Sequence, residues 1–144
     1  MKSAFILVVA AMFAVVGCSS EKVSGNMNDM PTEVQNAVNN NFKSPVVYAK
    51  IEKNSMGTDE YEIRLADGTE VKYEGTQMEE VKVPHGQSVP ETFIPAPVQS
   101  YVKEKHAGMS VVKIDKDKKG YEVKLSNGME LKFNPNGNFI KYDD

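Results

Sequence analysis

Few residues in this 144-residue chain are equipped for chemistry: one cysteine, two histidines, and a single arginine among 17 basic side chains. A lone Cys18 excludes a disulfide framework and a multi-cysteine zinc site. His85 and His106 lie too far apart in sequence to suggest a histidine-rich metal centre. His85 falls in a turn-rich stretch, and His106 at the end of an expected helix, where a cation suits the dipole. No Ser-His-Asp order, glycine-rich phosphate loop or metal-ligand spacing occurs. The run Asp115-Lys116-Asp117-Lys118-Lys119 alternates acids as a calcium loop does but lacks the later ligands, and reads as a charged hairpin turn. A net charge of −3 with Arg64 as the one arginine argues against nucleic acid. The expectation is no catalysis, no metal and no cofactor.

Cys18 carries chemistry of another kind. Lys2, an apolar run from Ala4 to Val16, and then Gly17 make a secretory signal of residues 1–17. The apolar run is too short for a membrane span, which takes roughly 20 residues. The segment Val15-Val16-Gly17-Cys18 resembles the lipobox of bacterial lipoproteins, although Val16 is a less usual choice than a small residue. In that resemblance the small residue fits the signal peptidase, and the thiol at the new N-terminus takes diacylglycerol. It implies cleavage before Cys18 and anchoring to the membrane by several acyl chains. The protein is then exported and lipid-anchored in the cell envelope, at the outer membrane, facing the periplasm or the surface. Residues 18–28 are polar, contain Gly25 and lack periodicity, and are expected to form a flexible tether.

Beyond the tether the chain repeats itself. Tyr61–Tyr73 lies over Tyr121–Phe133 with six of thirteen positions identical. Upstream, Lys50–Lys53 lies over Lys113–Lys116 at an offset of 63, and Pro31, Val34, Gln35 and Val38 over Pro95, Val98, Gln99 and Val102 at an offset of 64. Downstream, Val81-Lys82 lies over Ile140-Lys141. Each copy opens on a short helix: Pro31 and Pro95 suit a first turn, and Val34, Ala37 and Val38 match Val98, Tyr101 and Val102 at helical spacing. Alternation then predicts strands at 46–53, 60–66, 69–74 and 78–83, and again at 110–117, 120–126, 129–134 and 138–142. Asp67-Gly68 and Asn127-Gly128 are expected as two-residue hairpin turns of the primed type.

The class expected is α+β: two tandem helix-plus-four-strand antiparallel repeats with the helices on one face. Repeat 1 covers residues 29–83, a linker 84–94, and repeat 2 residues 95–144. Each repeat is too small for a core of its own, so the two are expected to share one. The outward face of the strands carries Lys50, Glu52, Glu62, Arg64, Glu70 and Lys72, then Lys113, Asp115, Glu122, Lys124, Glu130 and Lys132. Two readings stay open for it. Charges pair across strands, each pair worth under about 1 kcal/mol, or the face meets a partner. For the second reading the candidate residues are Tyr48, Lys50, Glu62, Arg64, Lys72, Lys113, Glu122, Lys124 and Lys132. Arg64 stands out because a guanidinium binds in a bidentate way that lysine does not.

The Pro-x-x-Val-Gln helix start at Pro31–Gln35, the Tyr-Glu-Ile/Val-x-Leu strand and the Asp/Asn-Gly hairpin resemble the PepSY-like family of beta-lactamase-inhibitor-like exported proteins. The resemblance covers residues 29–144 and rests on fold motifs, so it brings no catalytic residue. It implies two α-β units building one curved sheet, a shape with which inhibitor proteins bind an enzyme on the concave face. Together these features predict a non-catalytic envelope lipoprotein that binds a protein or peptide through its sheet face or loops. The alternative is a small-ligand carrier or sensor binding between helices and sheet.

Overall fold

The structure, a computed structural model, describes residues 21–143. Cys18 and the expected signal peptide lie outside them. Among the described residues, nine strands form one antiparallel sheet in strict sequence order. They are β1 (Glu21–Ser24), β2 (Val46–Lys53), β3 (Glu60–Leu65), β4 (Glu70–Glu74), β5 (Gln77–Lys82), β6 (Val111–Asp117), β7 (Gly120–Leu125), β8 (Glu130–Phe133) and β9 (Phe139–Asp143). Helix α1 (Thr32–Asn41) precedes β2, and α2 (Ala96–Lys105) precedes β6. Eight strands fall within two residues of the ends that alternation predicts, and both helices start just after the prolines expected in their first turns.

Both helices lie on the apolar face. Val34 and Val38 of α1, and Val98 and Val102 of α2, are buried against Ile63, Leu65, Val71 and Val81, and Ile114, Val123, Leu125, Leu131 and Phe133. All belong to one continuous core, which crosses the β5–β6 seam where Val81 sits opposite Ile114. The motif glutamines close each helix start. Gln35 Nε2 donates to the carbonyls of Met30 (2.8 Å) and Asn28 (3.3 Å), and Gln99 Nε2 to those of Ile94 (2.7 Å) and Glu91 (2.9 Å). Each ties its helix to the 3-10 turn before it, Met27–Asp29 or Glu91–Phe93. The shared glutamine is therefore a joint of the fold.

Four expectations change. The tether gives way from Glu21 onward: β1 pairs with β2 (Lys22 opposite Glu52, Ser24 opposite Lys50), and Met27 and Met30 are buried. An edge strand of four residues is held by backbone bonds, which leave no side-chain period to read. The linker is likewise built in. Val83 and Val89 donate backbone bonds to Val112 and Val111, and Val89, Phe93 and Ile94 are buried. The hairpins are not of the primed type, because only glycines have positive φ (Gly68 +96°, Gly128 +88°). Gly68 N–H bonds Leu65 O while Leu65 N–H bonds Thr69 O, a three-residue loop with glycine in the left-handed position, and Leu125–Met129 repeats it.

The fourth change is register. Val46 faces Leu65 and Val111 faces Leu125, so the first strands of the two repeats correspond at an offset of 65, two residues from the sequence match. At the other end Val81 faces Val71 and Tyr142 faces Leu131, so Val81 corresponds to Tyr142 rather than Ile140. Ile140 sits in a bulge and is exposed. A two-residue slip leaves every side chain on the same face, so the hydrophobic pattern does not oppose it. It does change which charge stands opposite which.

Candidate functional site

The face opposite the helices is polar across eight strands. Cross-strand pairing arranges its side chains in two parallel rows. One runs Lys50, Glu62, Lys72, Glu80, Asp115, Glu122, Lys132, Lys141 from β2 to β9. The other runs Tyr48, Arg64, Glu70, Lys82, Lys113, Lys124, Glu130, Asp143. All nine candidate residues from the sequence therefore share this face. Two hollows open on it, of about 660 and 630 Å³. Lys72, Glu80, Asp115 and Glu122 line both.

In repeat 1 the charges close on one another. Arg64 Nη2 and Nε donate to the same Glu62 oxygen (2.7 and 3.0 Å), and the guanidinium lies 5.1 Å from the centre of the Tyr48 ring. Glu62 holds the Arg64 pKa above its usual value. The fork that made Arg64 the residue to watch is thus already engaged. Lys50 pairs with Glu52 at 3.1 Å.

The centre of the face belongs to a residue absent from the sequence candidates, Glu80. Its carboxylate takes Lys72 at 3.0 Å and Lys113 at 3.1 Å, and its side chain is only 14% exposed. Burial alone would raise its pKa, but hydrogen bonds from Lys72, Asp115 and Lys113 hold it down at about 2. Asp115, opposite Glu80, is shifted up by burial and by that carboxylate, even though Lys113 reaches it at 2.8 Å. Burial works against the charge of Lys113, yet Asp115 and Glu80 raise its pKa. The signal for Glu80 was in the sequence: Val81 points inward, so Glu80 and Lys82 point outward.

In repeat 2, Lys124 pairs with Glu130 (3.0 Å), and Lys132 with Asp143 (2.8 Å) and Glu122 (3.7 Å). Glu122, Glu130 and Asp143 bring carboxylate oxygens within 4.8 Å of one another, but Lys124 and Lys132 already neutralise them. His106 caps the end of α2, its Nε2 3.2 Å from Tyr142 Oη, beside the stacked Tyr101 and Phe139. It stands with the aromatic packing of α2 on β9, away from the polar rows.

Two α-β repeats fused into one sheet, helices on one side and a hollowed charged face on the other, define the class of scaffold. The chain belongs to the PepSY-like family: the family profile described as "Putative beta-lactamase-inhibitor-like, PepSY-like" matches twice in tandem, at residues 14–78 and 76–141. Among curated proteins none matches. Solved structures are similar over nearly their whole length. A "putative periplasmic protein of unknown function" from Bacteroides vulgatus is 35% identical, with a TM-score of 0.77, covering 86% of this chain and 100% of that one. A "putative calcium-regulated periplasmic protein" from Bacteroides thetaiotaomicron is 36% identical (TM-score 0.76; 85% and 97% covered). A second Bacteroides vulgatus periplasmic protein is 28% identical (TM-score 0.78; 86% and 98% covered).

Proposed function

We propose that this protein is a non-catalytic, exported, lipid-anchored binding domain that holds a protein or peptide partner on its polar sheet face. The observation that carries the reading is that face itself: eight strands wide, free of helices, and hollowed over Glu80, Asp115 and Glu122. Export is supported by the periplasmic description of the similar structures. The small-ligand alternative has less support, because Val34, Val38, Val98 and Val102 fill the layer between helices and sheet. No cation role is assigned to Glu122, Glu130 and Asp143, since a metal ion would have to displace two lysine ammonium groups.

The test reverses Arg64→Glu and Lys124→Glu together in the full chain and compares retained envelope partners. The expected result is a folded protein that loses its partner; a folded double variant that retains everything moves the site off this face. Anchoring is tested separately. A palmitate analogue should label the wild type and not Cys18→Ser, and equal labelling of both would end the lipoprotein reading.

A further inference from the structure

Within the polar face, the central ion pairs of Glu80 and Asp115 with Lys113 run between two rows, and along each row like charges face one another. Like charges directly opposite one another on neighbouring strands are destabilising. In repeat 1 the register sets Lys50 against Glu62, Glu62 against Lys72 and Arg64 against Glu70, and like charges meet only toward the strand ends, where Glu52 faces Glu60 and Glu60 faces Glu74. From β5 to β7 it does the reverse: Glu80 faces Asp115 and Asp115 faces Glu122, while Lys82 faces Lys113 and Lys113 faces Lys124. The centre of the sheet is therefore an acidic row of three beside a lysine row of three. The hollow of about 630 Å³ lies over both rows and that of about 660 Å³ over the acidic row, and Lys82 makes no ion pair among the described residues. The arrangement follows from the two-residue slip, which puts Lys113 and Asp115 where repeat 1 has Tyr48 and Lys50.

The two rows are separated by one i, i+2 step along each strand. An extended chain laid along β6 presents its own i and i+2 side chains on one face with the same spacing. We propose that β5–β7 seat an extended polypeptide segment carrying a base and an acid two residues apart, the base over Glu80, Asp115 and Glu122 and the acid over Lys82, Lys113 and Lys124. The inference rests on the sheet-face reading above and gives its partner a chemistry. A purely basic or purely acidic segment meets one favourable row and one repulsive row. A bipolar segment with its charges adjacent points them to opposite sides and reaches only one row.

The experiment titrates the isotope-labelled full chain, in detergent micelles, with four capped peptides followed by backbone amide shifts. They are Thr-Arg-Thr-Glu-Thr, its adjacent-charge isomer Thr-Arg-Glu-Thr-Thr, Thr-Arg-Thr-Arg-Thr and Thr-Glu-Thr-Glu-Thr. The expected result is that the first moves the β5–β7 amides and binds about tenfold more tightly than the others, the scale of two partly exposed charge pairs. The preference should vanish in the Lys113→Gln/Asp115→Asn variant, whose unchanged amide spectrum elsewhere reports an intact fold. Equal shifts of β5–β7 by all four peptides overturn the bipolar proposal and leave the sheet-face reading standing. Shifts confined to loops or edges, or none, also overturn it. The sheet-face reading falls with it only if the Arg64/Lys124 reversal leaves partner capture unchanged.

Discussion

Glu80 shows how a single carboxylate organises this face. It keeps its charge because Lys72 and Lys113 close on it. Its folded pKa of about 2 lies below the ordinary 4.5, so its stabilising contribution is complete above about pH 4.5 and is lost as pH falls toward 2. Asp115, shifted upward, acts in the opposite sense and blunts the effect. Denaturant titrations across that window should show a falling acid limb in the wild type and a flatter one in Glu80→Gln. At neutral pH the same substitution should cost about 1–3 kcal/mol, the range for breaking a charge-assisted hydrogen bond. An unchanged acid limb would mean that Glu80 is not the group titrating there. In the core, Leu65 and Leu125 occupy equivalent sites, 2% and 1% exposed. Leu65→Ala and Leu125→Ala should each lower unfolding stability by about 2–5 kcal/mol. Their tyrosine neighbours are less alike: Tyr61 is buried, whereas Tyr121 is half-buried with the Lys116 ammonium 6.0 Å from its ring centre.

Two short helices and nine short strands depend on their joints. Gln35 and Gln99 each bridge a helix to the turn before it. Replacing either with alanine should cost about 1 kcal/mol, as for a neutral hydrogen bond, and should speed amide exchange first in the adjoining 3-10 turn. The turns differ in what they demand of glycine. Gly128 has positive φ with open space around it, so Gly128→Ala should carry only a conformational cost of about 1 kcal/mol. Gly120 also has positive φ (+135°), and a Cβ there would fall on the carbonyl oxygen of Phe133. Gly120→Ala should therefore be clearly the more destabilising of the two in thermal melts, and equal melting points would contradict this packing.

The two copies share one core across the described residues. That core passes through the seam between β5 and β6, and the segment between the repeats is bonded to β6. Calorimetry should show a single unfolding transition, and Leu65→Ala in repeat 1 should lower the same transition that Leu125→Ala lowers in repeat 2. Two transitions, each sensitive to one substitution, would contradict the shared core. The same continuity makes the polar face a single surface. The helices lie on the apolar side and leave the other side open.

Local physics made much of this legible from residue order. Val34 and Val38, Tyr61, Ile63 and Leu65, and the glycines at 68 and 128 place helix, strand and turn, because helical and strand periods and left-handed φ are properties of a few neighbouring residues. The resemblance of Val15–Cys18 to a lipobox is likewise a matter of sequence alone. Register is different in kind. Sliding β2 or β6 by two residues keeps Ile51 and Ile114 on the apolar face, so the hydrophobic pattern does not distinguish the two positions. Backbone bonding and bulges near Val46 and Val111 choose between them. That choice decides that Asp115 stands between Glu80 and Glu122, and Lys113 between Lys82 and Lys124. The alternating residues determined which charges face outward. Only the packed sheet determined which charges meet, because partners across strands are set by hydrogen-bonded register, a long-range property that no local spacing encodes.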